Sequence, residues 1–347
     1  MAETMPDISQ KVQERKKRWE QFYDLNSSVR FLLKVNYAAE KPERPFPRRD
    51  NIPARIEWAW KDYLRQLEQV SWLEDDTIPY LNVFTGTEIF AEAFGCKVHY
   101  ADDNMPFALP LVQTAAEAEK ITIPDYGSTH LADLFYIADE LRSRAGNDAV
   151  LALVDIQSPM DIAALIWDKN TLYPALIETP EAVLELANKV KVLWFRFLDD
   201  WKARYGDPFI AHYPDYYMPY GITLSEDEVG SVNSKMFIEY YLPELVEISE
   251  HFGCIGIHCC ANARHQWRNF LKIPNLKLLN LVQPKSVIQE AMQFFAPHVA
   301  QWHTERLSTL EPGPEKYPAG IHLILDPAAE TRQGAIQKAE YFHKFYL

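Results

Sequence analysis

The residues best suited to chemistry lie in the segment CIGIHCC. Side chains alternate along a β-strand, so Cys254, Gly256, His258 and Cys260 share one face, whereas Cys259 faces the other side and is expected to pack in the interior. An imidazole and a thiolate two residues apart on one face can bind a single Zn²⁺, which prefers nitrogen and sulfur ligands. The alternative is a buried histidine and a cysteine that packs at the end of a strand.

A catalytic zinc site needs about three protein ligands and one open position. In GIHLILD, Asp326 lies at the carboxyl end of a predicted strand and could complete a His258, Cys260 and Asp326 site. Asp326 could instead be the N-cap of a helix that begins at Pro327. His303, at the end of HVAQWH, is a weaker alternative ligand.

Other candidate residues follow predicted strands. The segment HYPDYYMPYG contains tyrosines that could stack on a corrin ring, a sugar or a cationic methylamine, or could hold a loop by aromatic packing. His212 could face the same cleft, although a core histidine is the favoured interpretation, and Arg264 could bind an anion or begin a helix. The predicted substrate-binding residues are His212, Tyr213, Tyr220, Gln157 and Arg264.

An acidic run lies between two of the predicted elements. Glu226 and Asp227 in the segment SEDE could orient a substrate or protonate a leaving group, or could simply be a solvated helix start. Together with Tyr217 of the tyrosine-rich segment, they are the predicted catalytic residues.

The elements that must position these residues alternate between strand and helix. Strands are predicted at IPYLNVF, CKVHY, AVLALVDI, PFIAHY, CIGIHCC, LKLLNLV, HVAQWH and GIHLILD, with amphipathic helices between several of them. Such alternation predicts an α/β fold, and about eight units favour a closed (β/α)8 TIM barrel over residues 76–347. An open doubly wound sheet is the alternative, but it would usually carry a GxGxxG loop, which the sequence lacks.

Residues 1–75 are expected to form an N-terminal helical extension that caps the barrel. VQERKKRWEQFYDLNSSVRFLLKV and ARIEWAWKDYLRQLEQVSWL are predicted helices, separated by a proline-rich break. In the second helix, Trp58, Trp60, Leu64 and Leu67 are predicted to form the stripe that packs on the core.

Composition limits the partners. The 347 residues include 35 basic and 49 acidic residues, a net charge of −14, so nucleic acid is an unexpected partner. No run of about 18 apolar residues predicts a membrane helix, and the charged N-terminus does not resemble a signal peptide, so we expect a cytoplasmic protein. Three of the four cysteines lie within seven residues, which argues against a disulfide scaffold.

Four segments, in this order, resemble the uroporphyrinogen decarboxylase superfamily, and specifically its zinc-dependent corrinoid/coenzyme M methyltransferase branch. They are TEIFAEAFGCKVHYADDNMPFALPLV, SPMDIAALIWDKNTLYPALIETPEAVLELANKV, GITLSEDEVGSVNSKMFIEYYLPELVEIS and IHCCA, the last of which resembles the family's HxCG. The resemblance extends from about residue 85 to the end of the chain.

This resemblance implies a (β/α)8 barrel with its cleft at the carboxyl face. In the methyltransferase branch zinc is held by the histidine and cysteine of HxC, which match His258 and Cys260, and by a later cysteine. That later cysteine is missing here, where Asp326 is the nearest replacement, and Ala261 stands in place of the glycine. The implied function is methyl transfer between a corrinoid, supplied by a small corrinoid protein, and a thiol acceptor. The expected partners are therefore a small-molecule substrate and the corrinoid protein. Exposed faces of the N-terminal helical extension could also pair two copies of the chain in a homodimer.

Two other functions remain open at this point. One is a metal-free lyase of the decarboxylase type that uses Asp227 and the tyrosine-rich segment, although only Arg48 and Arg49 represent that branch's arginine-rich N-terminal segment. The other is a ligand-binding barrel without catalytic activity, which the missing cysteine suggests.

Overall fold

A computed structural model describes residues 8–101, 104–303 and 313–347. The α-helices are α1 (Ile8–Phe22), α2 (Ile52–Trp72), α3 (Ile89–Ala93), α4 (Ala115–Ala118), α5 (His130–Ala145), α6 (Pro159–Ile166), α7 (Lys169–Glu178), α8 (Pro180–Tyr205), α9 (Ser234–Met236), α10 (Leu242–Phe252), α11 (Trp267–Phe270), α12 (Lys285–Phe295) and α13 (Arg332–Tyr346). The strands are β1 (Phe31–Leu33), β2 (Asn36–Tyr37), β3 (Tyr80–Leu81), β4 (Lys97–His99), β5 (Phe107–Leu109), β6 (Val150–Ala152), β7 (Phe209–Ile210), β8 (Tyr217–Met218), β9 (Ile222–Ser225), β10 (Ile255–Cys259), β11 (Leu276–Leu281), β12 (Ala300–Gln301), β13 (Leu323–Leu325) and β14 (Ala328–Ala329).

Parallel strands form the centre of the molecule. One sheet has the order β1-β13-β12-β11-β10-β9, and a second has the order β3-β6-β7-β8, in which β8 is antiparallel to β7. A parallel bridge between Gln157 and Ser225 connects the chain that follows β6 to the end of β9. Helices connect the parallel strands, so the predicted α/β fold of the TIM-barrel type is confirmed.

The eight predicted strands are all present, but one of them lies elsewhere. CKVHY forms β4, which pairs with β5 in an antiparallel hairpin outside the two parallel sheets. Strand β9 was not predicted, because the short apolar run ITL is followed directly by the acidic segment. This missed strand matters for function, since it carries the acidic segment to the carboxyl edge of the sheet.

The predicted first helix is too long. Helix α1 ends at Phe22, and Phe31–Leu33 instead form β1, which pairs in parallel with β13. All three residues of β1 are buried, which suits a strand covered on both faces. Arg15 of α1 is also buried, and its Nη1 lies 3.1 Å from Asp75 Oδ1. The N-terminal segment therefore supplies a strand to the main sheet as well as helices.

Helix α2 packs on the core through a face that only partly matches the predicted stripe. Leu64 is 46% exposed, and Trp58, Trp60 and Leu67 are only partly buried. The buried apolar residues of α2 are Ile56, Ala59, Tyr63 and Val70, which recur at helical spacing. The tryptophans of α2 therefore flank the packed face.

Proline and glycine mark two helix boundaries. Helix α8 begins at Pro180, and α10 ends at Phe252, where Gly253 is the C-cap with φ of 86°. The N-cap alternative for Asp326 is wrong, because α13 begins at Arg332 with Thr331 as its N-cap. Across the described ranges, none of the helices combines the length and the apolar character needed to cross a membrane.

Candidate metal centre

Asp227, His258 and Cys260 come together at the carboxyl edge of the main sheet. One ligand atom of each residue lies within 4.8 Å of the other two, and no other such group of three occurs in the part of the chain that the structure describes. His258 is in β10 and Cys260 follows it, whereas Asp227 lies just after β9. Because β9 and β10 are parallel, their carboxyl ends meet at one edge, with His258 opposite Ser225.

His258 is oriented by its other neighbour in the sheet, β11. Its Nδ1 lies 2.6 Å from Oδ1 of Asn280, which is opposite His258 in the β10–β11 register. The Asn280 side-chain amide donates to the backbone oxygen of Trp302, so its Oδ1 accepts from Nδ1–H of His258. Nε2 of the imidazole then carries the lone pair, as it does when a histidine binds a metal.

Asp227 is fixed through its backbone and through its carboxylate. Asp161, a buried residue in the first turn of α6, accepts from the backbone N of Asp227 at 2.6 Å and from that of Glu228 at 3.0 Å. Asp227 Oδ1 in turn accepts from the backbone N of Cys260 at 2.5 Å. Asp161 therefore positions the turn, and the turn places the Asp227 carboxylate beside the Cys260 backbone.

The electrostatics of this group favour a cation. Burial, and then the neighbouring Asp227 carboxylate, raise the pKa of the Cys260 thiol to about 12. A divalent cation between them would reverse this effect, because metal binding deprotonates a coordinating thiol. An imidazole, a thiolate and a carboxylate within reach of one point fit Zn²⁺ with a fourth position left open.

The raised pKa of Cys260 leads to a prediction for the metal-free protein. The thiolate is the reactive form of cysteine, so Asp227→Asn, which removes the adjacent negative charge, should increase the rate at which iodoacetamide labels Cys260. Peptide mass spectrometry over time measures that rate. Cys260→Ser should abolish fast labelling, since Cys96, Cys254 and Cys259 are buried. Equal rates in the wild type and Asp227→Asn would contradict the placement of Asp227.

The sequence suggested Asp326 as the third ligand, but Asp326 is not part of this group. It follows β13 and lines a cavity of about 570 Å³ together with Lys34, Tyr213 and Trp302. Burial raises the pKa of the Asp326 carboxyl to about 7. This cavity lies at the carboxyl ends of several strands. It adjoins the metal centre, because the centres of the Tyr213 and His258 rings are 4.9 Å apart.

His303 is a core residue in this structure. Its Nδ1 accepts from the backbone N of Leu281 at 3.2 Å, and its Nε2 lies 2.8 Å from Gln301 Oε1. Burial lowers the pKa of its imidazole to about 3. Both ring nitrogens therefore have partners, and His303 is unsuited to the weaker ligand role.

Two of the three predicted catalytic residues lie outside the cleft. The Glu226 side chain is fully buried, and burial together with the nearby Asp161 carboxylate holds its pKa well above the usual range. Tyr217 is in β8, where its ring packs against Trp19 at 6.5 Å and its backbone oxygen accepts from Tyr23. Asp227 alone of the three reaches the metal centre.

Only some of the predicted substrate-binding residues lie on the same side of the sheet as the metal centre. Tyr220 lies at the opposite edge of the sheet, where it lines a cavity of about 820 Å³ with Cys254, Asn275 and Val299, which precede β10, β11 and β12. Arg264 is exposed, and its Nη2 lies 2.5 Å from Glu290 Oε2 of α12. The tyrosine-rich segment is split because β7 and β8 form a hairpin, which carries its second half away from the cleft.

Tyr213, Gln157 and His212 do lie on the carboxyl side of the sheets. Gln157 follows β6, and its buried Oε1 has no hydrogen-bond partner among the described residues. His212 follows β7, and its Nε2 lies 2.9 Å from Asp155 Oδ2. Sequence reasoning named His212 but missed its pairing with Asp155, as well as the roles of Asp161 and Asn280. Asn280 could have been noticed as a buried polar residue in the mostly apolar strand LKLLNL.

Glu88 is an unusual buried acid near this side of the cleft. It is 1% exposed, and its carboxyl oxygens accept no hydrogen bond from another described residue. Burial, with a further contribution from Asp155, raises its pKa from 4.5 to about 8. The folded protein therefore retains this proton between those two values, whereas the unfolded chain releases it.

The consequence is a pH-dependent loss of stability. Because the folded state binds the extra proton, stability should fall as pH rises from 4.5 towards 8. Glu88→Gln removes that titration, so its melting temperature relative to wild type should increase between pH 5 and pH 9 by a few degrees. Thermal unfolding of both proteins, followed by circular dichroism across this pH range, measures the difference in melting temperature. If that difference is the same at every pH, the pKa of Glu88 is not raised in the folded protein.

Comparison with known proteins gives one family and one fold. A family model described as "Uroporphyrinogen decarboxylase (URO-D)" matches residues 80–294. Among solved structures, a methyltransferase from Methanosarcina mazei is similar with a TM-score of 0.62 and 12% sequence identity, over 95% of this chain and 97% of that one. No curated protein sequence matches significantly. At this identity the structural likeness concerns the fold.

Proposed function

Because this chain belongs to the uroporphyrinogen decarboxylase family, we propose that it is a zinc-dependent methyltransferase that moves a methyl group between a corrinoid and a thiol acceptor. The observation that carries the proposal is the Asp227, His258 and Cys260 group at the carboxyl edge of the sheet, where barrel enzymes have their active sites. A structure of similar fold is named a methyltransferase, which supports the same reaction class.

The three residues would hold the zinc ion, with Asp227 in place of the cysteine found in the methyltransferase branch. Bound Zn²⁺ would favour the thiolate form of the acceptor at neutral pH. The protein's own contribution is to orient the ligands, through Asn280 for His258 and through Asp161 for Asp227. An oxygen ligand is harder than sulfur, so zinc held here would be a stronger Lewis acid than at a site with two thiolates.

The space beside the metal centre would take the substrates. Tyr213 is 46% exposed and separates His258 from the cavity of about 570 Å³. Its aromatic face offers an apolar contact for a small molecule in this cavity. We propose that the corrinoid reaches this mouth on a small separate protein.

The test combines metal content with methyl transfer. Purified protein is assayed for zinc by elemental mass spectrometry and for transfer from methylcobalamin to 2-mercaptoethanol, before and after chelation. We expect about one zinc ion per chain and a turnover that is lost on chelation and restored by zinc. Activity that survives chelation would favour a metal-free lyase instead. Thiol binding without any turnover would favour a ligand-binding barrel.

A further inference from the structure

A second pair of ionisable side chains lies at the carboxyl ends of β6 and β7. His212 Nε2 is 2.9 Å from Asp155 Oδ2, and the two side chains are only 20% and 11% exposed. The backbone N of Asp155 donates to Thr85 Oγ1 at 2.8 Å, which anchors the residue. The pair therefore has a fixed geometry and limited access to solvent.

The pairing determines which imidazole nitrogen is open. An unprotonated Nε2 would turn its lone pair towards the Asp155 oxygen at 2.9 Å, so we assign the proton of His212 to Nε2, which leaves the lone pair on Nδ1. Within the described ranges, Nδ1 of His212 has no hydrogen-bond partner. The ring stacks on Phe84 with an interplanar angle of 16°, and the Arg44 guanidinium lies 3.9 Å from the centre of the Phe84 ring. His212 is thus an oriented imidazole with one free acceptor nitrogen.

This pair borders the candidate metal centre. His212 is followed directly by Tyr213, whose ring contacts the His258 ring at 4.9 Å. On the other side, Gln157 bridges to Ser225, which is opposite His258 in the sheet. Gln157 and His258 are therefore two strand spacings apart, about 10 Å, which one small substrate can span.

We propose that His212, held by Asp155, is the general base that removes the proton from the thiol acceptor. This inference rests on the proposed function. In the step, the S–H bond breaks, an N–H bond forms at Nδ1 of His212, and the electron pair stays on sulfur. The Asp155 carboxylate then stabilises the imidazolium. His258 cannot do this work, because its Nδ1 is held by Asn280 and its Nε2 faces the metal centre.

The role of His212 can be tested without turnover by counting the protons that are released when the thiol binds. Zinc-loaded wild type, His212→Gln and Asp155→Asn are titrated with 2-mercaptoethanol at pH 7.5 by calorimetry in buffers of different ionisation enthalpy. Because a neutral imidazole accepts one proton, His212→Gln should release about one proton more per bound thiol than wild type. Asp155→Asn should change in the same direction, and it also serves if His212→Gln does not fold. His251→Gln is the matched control, since His251 also pairs with an aspartate, Asp199 at 2.7 Å, but on the surface.

The outcomes separate this inference from the proposed function. Extra proton release by the His212 or Asp155 variant, with the His251 variant like wild type, supports the general base. Equal proton release by all variants overturns this inference alone. Loss of zinc from both the His212 and Asp155 variants also overturns it, because the pair would then support the metal. If the wild type binds no zinc, or binds no thiol when loaded with zinc, the proposed function fails and this inference fails with it.

Discussion

Replacement of Cys260 by serine or of His258 by alanine is expected to remove zinc from the protein and to abolish methyl transfer. Each substitution deletes one of three ligand atoms that lie within 4.8 Å of one another. Changes to residues that only orient a ligand already weaken metal binding by about 10–100-fold, so loss of a ligand itself should weaken it by more than about 100-fold. Competition with a chromogenic chelator measures the zinc affinity directly.

The comparison of two aspartates makes this prediction specific to the structure. Asp227→Asn should weaken zinc binding by about tenfold or more, because a neutral amide oxygen replaces a charged ligand. Asp326→Asn is the matched control, since Asp326 lies in the neighbouring cavity with Lys34 and Trp302. Retained zinc in Asp227→Asn combined with lost zinc in Asp326→Asn would reverse the assignment. Retained zinc in Cys260→Ser would refute the site itself.

The first two ligands could be predicted because strand alternation is a local property. His258 and Cys260 are two residues apart in a buried run, and this spacing alone puts them on one face. The third ligand depends on pairing between β9 and β10, which lie about thirty residues apart, and on the turn that follows β9. Alternation does not apply in a turn, so the sequence could not show that Asp227 faces the site while Glu226 is buried.

The errors in the fold have a similar origin. The segment around Phe31–Leu33 is a short apolar run that suits a helix or a buried strand equally, and its pairing with β13 decides the matter. Strand β8 in the tyrosine-rich segment is only two residues long, and a run this short has no alternation that distinguishes a strand from a loop. Because β7 and β8 form a hairpin, Tyr217 and Tyr220 lie away from the cleft. Local patterns thus predicted the class of fold and the position of HxC, whereas long-range pairing determined the composition of the site.

Asp161→Asn should weaken zinc binding although Asp161 is not a ligand. Its two carboxylate oxygens accept from the backbone N of Asp227 at 2.6 Å and of Glu228 at 3.0 Å, and the side chain is buried. Asparagine keeps one acceptor and places an NH₂ group against the second N–H, so one of these hydrogen bonds is lost and two donors face each other. Because the turn then no longer fixes Asp227, zinc affinity should fall by about 10–100-fold.

A general loss of stability must be distinguished from this specific effect. Ser158→Ala removes the hydroxyl that accepts from the backbone N of Asp161, and with it the N-cap of α6, but leaves the Asp161 carboxylate in place. It should lower the free energy of unfolding by about 1 kcal/mol and leave zinc affinity near that of wild type. If Asp161→Asn and Ser158→Ala reduce zinc affinity equally, the effect belongs to the helix as a whole. If Asp161→Asn alone does so, the buried carboxylate positions Asp227, and the third ligand depends on a residue that never contacts the metal.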